Sequence, residues 1–229
     1  MRSVSLAVCC PRCGGPLRPP DLMHTDWRCG VCGPVQPLHV ASHISAEILA
    51  AVRDRVRAYK GDDGTMPLWC PWPLPRGWFV TGVAWAGDDR TGPRATAVAL
   101  SGPAPLSDGP ADAVFVAEEL GVGLGTSLAG IPGPDPGPAL RDAVETTAAH
   151  AKVKASGHPT PLWAVASLED RSVYVGEARG VWLYAITWPA QAGYVLAEEI
   201  LLHDLTESLP SELVFGAPSR RLRPQRAEE

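Results

Sequence analysis

Two cysteine pairs, Cys10-Pro11-Arg12-Cys13 and Cys29-Gly30-Val31-Cys32, constrain this chain more than any other feature. Each C-x-x-C can form a tight knuckle that turns both thiolates toward one point, and Gly14 and Gly33, trailing the pairs, supply the backbone freedom such a turn needs. The fifteen residues between the pairs, 14–28, suffice for a short hairpin that brings the knuckles together. Cys10, Cys13, Cys29 and Cys32 are therefore the expected metal ligands. Four soft thiolates suit Zn2+ in a closed tetrahedron, a structural centre with no open position for water activation, while iron stays open as the metal. A thioredoxin-like redox motif requires one pair at a helix start, which two Gly- and Pro-flanked pairs do not offer. Cys9, His24, His39 and His43 lie close enough in sequence to exchange into the ligand set.

Compartment follows from the same residues. Five of the six cysteines fall within 9–32, a metal-site spacing and not a disulfide framework, so a cytoplasmic location is expected. The apolar stretch after Arg2 is too short for a signal-peptide core. The longest uncharged run, Gly180 to Ala197, is interrupted by Thr187, Pro189, Gln191 and Gly193, so no membrane span is expected. Net charge is −5, but the ends are basic, and residues 61–218 carry eight bases against nineteen acids. Such a body repels phosphate backbones, so nucleic-acid binding is not expected beyond a weak contact through the ends.

The rest of the chain reads as an α+β protein: a zinc ribbon at 1–40, a linker helix within 41–66, an antiparallel-sheet α+β body at 67–209 and a flexible basic tail at 210–229. Residues 45–60 form a helix capped by Ser45, with Ile48, Leu49, Val52, Val56 and Tyr59 on one side and Arg53, Arg57 and Lys60 on another. Four prolines interleaved with Trp69, Trp72 and Trp78 over 67–78 predict an extended strap without ladder hydrogen bonds. Strands are expected at Phe79–Ala86, Ala95–Ser101, Ala113–Ala117, Val173–Gly176, Val181–Thr187 and Ile200–Leu205. Helices are expected from Glu118, over Ala139–Ala155 and from Pro189. Three short matches in the same order (Pro67-Leu68-Trp69 with Pro161-Leu162-Trp163, Gly82-x-Ala84 with Gly176-x-Ala178, and Val116–Glu119 with Leu196–Glu199) leave an internal duplication open.

Catalytic patterns fail on spacing. Residues 125–130 hold one residue too many for a nucleophile elbow, and Gly121-x-Gly123-x-Gly125 lacks both the dinucleotide spacing and a Walker lysine. Cys70 with His158 or His203, and Glu118 and Glu119 with Glu198 and Glu199, remain pairs that only the fold can join. Met66–Trp78, Thr81–Ala84 with Gly87–Arg90, Val116–Gly125, Gly133–Pro138 and Gly176–Gly180 together resemble an actinobacterial family of unknown function that begins with a zinc ribbon. The resemblance extends to actinobacterial signature proteins that modulate the ParA partition ATPase, and it implies no catalytic residues. The expected function is a non-catalytic regulatory or adaptor protein binding a protein partner, with Arg53, Arg57, Lys60, Trp69 and Trp72 as candidate contact residues. An enzyme of unknown reaction, a regulator of a ParA-type ATPase and a weak nucleic-acid binder are the alternatives.

Overall fold

The computed structural model describes residues 6–59, 65–106, 108–197 and 200–224. Five short strands come first: β1 (Leu6–Cys9), β2 (Leu17–Arg18), β3 (Arg28–Cys29), β4 (Gly33–Pro34) and β5 (Leu38–Ala41). Helix α1 (Ala46–Arg57) follows; the Ile48 N–H donates to the Ser45 Oγ at 3.3 Å, which is the N-cap the sequence calls for. Ile48, Leu49, Val52 and Val56 form its buried side. Then come β6 (Trp69–Pro71), β7 (Phe79–Asp88), β8 (Gly92–Pro103) and β9 (Pro110–Glu118), helices α2 (Leu124–Ala129) and α3 (Gly137–Thr146), and β10 (Ala151–Ala155). The chain closes with β11 (His158–Val165), β12 (Ser172–Ala178), β13 (Val181–Trp188), a 3-10 segment at Ala190–Leu196, and β14 (Ile200–Asp204).

Eleven of these strands form one sheet in the order β1-β5-β7-β8-β9-β13-β12-β11-β10-β14-β6, antiparallel throughout except for the β10–β14 pair. The small sheet β2-β3-β4 belongs to the ribbon, whose flanking strands β1 and β5 form one end of the large one. Side chains alternate across the sheet, and in its middle both faces are buried. Val98, Leu100, Phe115, Ala117, Leu183 and Ala185 face one core, which also takes in α1; Ala97, Ala99, Val114, Val116, Tyr184 and Ile186 face the other, under α2. The sheet curls until its β6 end lies against β8 and β9, where the Thr96 hydroxyl donates to the Pro67 carbonyl at 2.5 Å.

The strap at 67–78 differs from expectation because its prolines are spaced by two. Strand N–H groups alternate sides, and Leu68, Cys70 and Trp72 fall on the side facing β14: Trp72 N donates to Leu201 O at 2.9 Å, and Leu68 O accepts from Leu205 N at 2.9 Å. Pro67, Pro71 and Pro73 occupy the other side, where an edge strand needs no donor. The helix expected over Ala139–Ala155 stops at Thr146. Thr146 and Thr147 turn their hydroxyls back to the Asp142 and Ala143 carbonyls, and the alternation of Ala151-Lys152-Val153-Lys154-Ala155 makes β10 instead. No helix starts at Glu118, which ends β9. The tail is held as far as Pro224: Val80 N and Val214 O, Gly216 N and Val80 O, and Ser219 N and Thr81 O pair along β7, and Leu222 is buried. The three repeated stretches sit on β6 and β11, on β7 and β12, and at the end of β9 and of the 3-10 segment, and only the last pair differs in kind; a duplication is not shown. No helix among the described residues is long and apolar enough to cross a membrane.

Trp69 is 1% exposed and lies in the core with Leu68 and Phe115. Trp69→Ala should cost about 3–5 kcal/mol. At about 2–4 °C per kcal/mol for a chain of this size, that lowers the thermal midpoint by about 6–20 °C, read by calorimetry. Trp72→Ala, at a half-buried site, should cost less.

Candidate metal centre

Each knuckle is shaped by its own backbone. Gly14 N donates to Cys10 O and Cys10 N to Gly15 O, both at 2.9 Å, closing the first turn with Gly14 at φ +66°, and Gly33 takes φ +75° after the second. The hairpin β2–β3 then brings the knuckles together, so that the sulfurs of Cys10, Cys13, Cys29 and Cys32 all lie within 4.8 Å of one another. Cys13 and Cys29 Sγ are 3.5 Å apart, far beyond a disulfide bond and close to the separation of about 3.8 Å between thiolates at 2.3 Å from one tetrahedral ion. All four are free thiols, Cys10 and Cys29 buried and Cys13 and Cys32 half-buried. Burial raises the Cys29 thiol, yet the N–H groups of Cys32 and Val31 and the neighbouring thiols bring it down to about 7, whereas burial and the Cys13 thiol push Cys32 up to about 11. Such a donor set fits a metal ion.

Cys9 stays outside the cluster, and burial raises its thiol. Of the histidines near the ribbon, none joins the cluster, and His39 and His43 are engaged elsewhere. His39 stacks on Trp85 with ring centroids 4.0 Å apart and bonds Gly87 O through Nε2, and His43 Nδ1 meets the Ser42 hydroxyl.

The ribbon is fastened to the body by the residue inside its first knuckle. Arg12 donates to Gly121 O at 2.5 Å and to Val122 O at 3.2 Å, while the Ser127 hydroxyl donates to Arg12 O at 2.7 Å. The glycine-rich run that spacing excluded as a nucleotide loop is thus the ribbon's socket. A Cβ on Gly123 would stand 3.0 Å from Arg12 Cγ, and one on Gly125 would overlap the Tyr184 ring at 2.4 Å. Two acids hold the socket in shape: Asp135 accepts from Gly121 N at 2.8 Å, and Glu118 Oε2 accepts from Leu124 N at 2.8 Å and Gly125 N at 3.0 Å. Farther along, Asp26 pairs with Arg90 at 2.8 Å and Gly87 N donates to Pro37 O at 3.0 Å.

The candidate contact residues do not converge as one surface. Arg53 is bound to its neighbour Asp54 at 2.7 Å, Arg57 is exposed, and Lys60 lies outside the described residues. Trp69 is enclosed in the core, and Trp72 is half-buried. The residue sequence reasoning passed over is Arg55, which pairs with Asp89 and lies over the Tyr59 and Trp85 rings; its place between two stripes of the helix is the only signal it gave. Cys70 and His203 do face each other across β6 and β14, but the Cys70 thiol is fully buried, pushed up to about 12 by desolvation, and turned to Pro71 O. His203 is bonded to Ser208, so the pair makes no thiolate nucleophile. Glu198 and Glu199 lie outside the described residues.

A family model matches residues 2–222, nearly the whole chain. The chain belongs to this family, DUF6758, a family of unknown function. No curated protein and no solved structure matches it. The DUF6758 chain thus seats a four-cysteine cluster on a curled, mostly antiparallel sheet, with β1 and β5 continuing into that sheet and Arg12 fastening the first knuckle.

Two outcomes check this geometry. Purified protein should carry about one equivalent of metal, Cys13→Ser should lose it, and Cys9→Ser should keep it, as elemental analysis will read. Glu118 is fully buried, and desolvation raises its carboxyl to about 7 against the bonds from Gly125 and Leu124. Its folded pKa exceeds its unfolded value, so the native state holds an extra proton between them and loses stability as pH climbs from about 4.5 to about 7. Glu118→Gln should therefore raise the thermal midpoint above pH 7, with the gain shrinking to nothing as pH falls below about 4.5.

Proposed function

We propose that the protein is a non-catalytic adaptor whose zinc-held ribbon presents an apolar tip to a protein partner. A closed set of four thiolates supports zinc in a structural role, since it leaves no coordination position for a substrate or water. The observation that carries the reading is the tip of the β2–β3 hairpin. Asp21 Oδ1 accepts from the N–H groups of Met23 and His24, both at 2.8 Å, and Asp21 N donates to His24 O at 2.8 Å, so the tip is ordered. That order holds Leu22 and Met23 in water, 105% and 85% exposed, while the base of the ribbon is bolted to the sheet through Arg12. Two large apolar side chains fixed outward on a rigid hairpin gain nothing for the fold, and a partner that covers them gains their burial.

The test is Leu22→Asp with Met23→Asp in the full chain. The double variant should keep its zinc content and thermal midpoint and lose the proteins that the unaltered chain retains from extract of its own source cells. Retention of the same proteins by the variant would contradict the reading.

A further inference from the structure

Beyond the adaptor role, the seam between ribbon, sheet and C-terminal segment holds a half-open cavity of about 400 Å³ lined by five arginines: Arg12 from the first knuckle, Arg171 just before β12, and Arg220, Arg221 and Arg223 from the C-terminal segment. Among the described residues no aspartate or glutamate lines it. Two of the five are neutralised outside the cavity, Arg171 by Asp170 at 2.6 Å and Arg221 by Asp112 at 3.0 Å, and both guanidinium groups lie over the Trp188 ring, at 5.2 and 4.9 Å from its centroid. Arg12 bonds only carbonyls, and Arg220 and Arg223 are exposed and make no ion pair among the described residues. Three guanidinium charges thus share one small space without a counter-charge among the described residues, in a chain whose net charge is −5. Like charges drawn together from segments far apart in sequence repel one another unless an anion sits between them. The lining residues Thr126 and Trp188 also hold a buried hydroxyl and a buried indole N–H with no hydrogen-bond partner.

We propose that this cavity binds a small molecule bearing two or more phosphate groups. Guanidinium forks match phosphate oxygens in pairs, and the volume lies within the range of about 300–1,000 Å³ usual for small-ligand sites. A long polyanion, which would run over the body beyond the site, is disfavoured by the net −11 of residues 61–218. Because Arg12 comes from the ribbon and Arg220 and Arg223 from the C-terminal segment, the bound phosphate ties the two together.

Inorganic pyrophosphate is the probe, titrated calorimetrically into the metal-loaded full chain at 150 mM salt, with metal content measured before and after. Saturable one-to-one binding with metal retained is expected, together with a raised thermal midpoint. Arg220→Ala and Arg223→Ala, which remove no internal bond, should each weaken binding about ten-fold or more at an unchanged midpoint of the free protein, and together abolish it. Absence of saturable binding, binding unaltered in both variants, or tighter binding of an oligo-glutamate peptide than of pyrophosphate would overturn the proposal. Loss of partner capture by the Leu22 and Met23 variant has no bearing on this site, so the two readings fail separately.

Discussion

The seat of the first cysteine knuckle on the body of this protein depends on one guanidinium. Arg12 sits between the two cysteines of the first knuckle, so the turn that gathers Cys10 and Cys13 also fixes the direction in which Arg12 leaves the ribbon, toward the carbonyls of Gly121 and Val122. A charge donating to carbonyls in a half-buried place is a strong anchor, worth about 1.5–3 kcal/mol. It works only if the receiving loop has its carbonyls aimed and its Cβ atoms absent. Gly123 supplies the absence, and Glu118 and Asp135 supply the aim by binding the loop's N–H groups from below. The four-cysteine cluster, the glycine-rich loop and a fully buried glutamate are parts of one joint.

That joint needs a platform that does not yield, and the curled sheet provides it. Strands β8, β9 and β13 are buried on both faces, with small alanines on one side of β8 and larger side chains opposite, so two cores share the same strands. The β6 edge, where a sheet would otherwise offer unpaired groups, is closed by prolines on its outer side. At the other end β5 covers only the part of β7 from Ala84 to Ala86, and residues 214–219 continue the pairing beside Val80 and Thr81. This brings Arg220, Arg221 and Arg223 round to the ribbon seam.

Much of this could be read from the sequence, for local reasons. The cysteine spacing, the Ser45 cap and the alternation in β7, β8 and β13 are each decided within a few residues, and they hold in the structure. β10 and β11 were hidden because Ala139–Ala155 is rich in helix formers and because Pro159 and Pro161 resemble a turn; those prolines lie before Trp163, where β11 begins its pairing with β12. The strap's ladder was hidden by counting prolines without asking which side of the strand they occupy. The socket for Arg12 and the arginine cavity were beyond sequence reasoning altogether, since residues 12, 121, 171 and 223 meet only through the topology of the sheet.

The joint is tested most directly by amide hydrogen exchange on the full chain with its metal bound and after chelation. If the knuckle positions Arg12, metal removal should unprotect the amides of Gly121, Leu124 and Gly125 and those of β1 and β5, while β8, β9 and β13 keep their protection. Unchanged exchange at 121–125 after complete loss of metal would contradict the account, because it would show that the socket is formed without the ribbon's arginine in it.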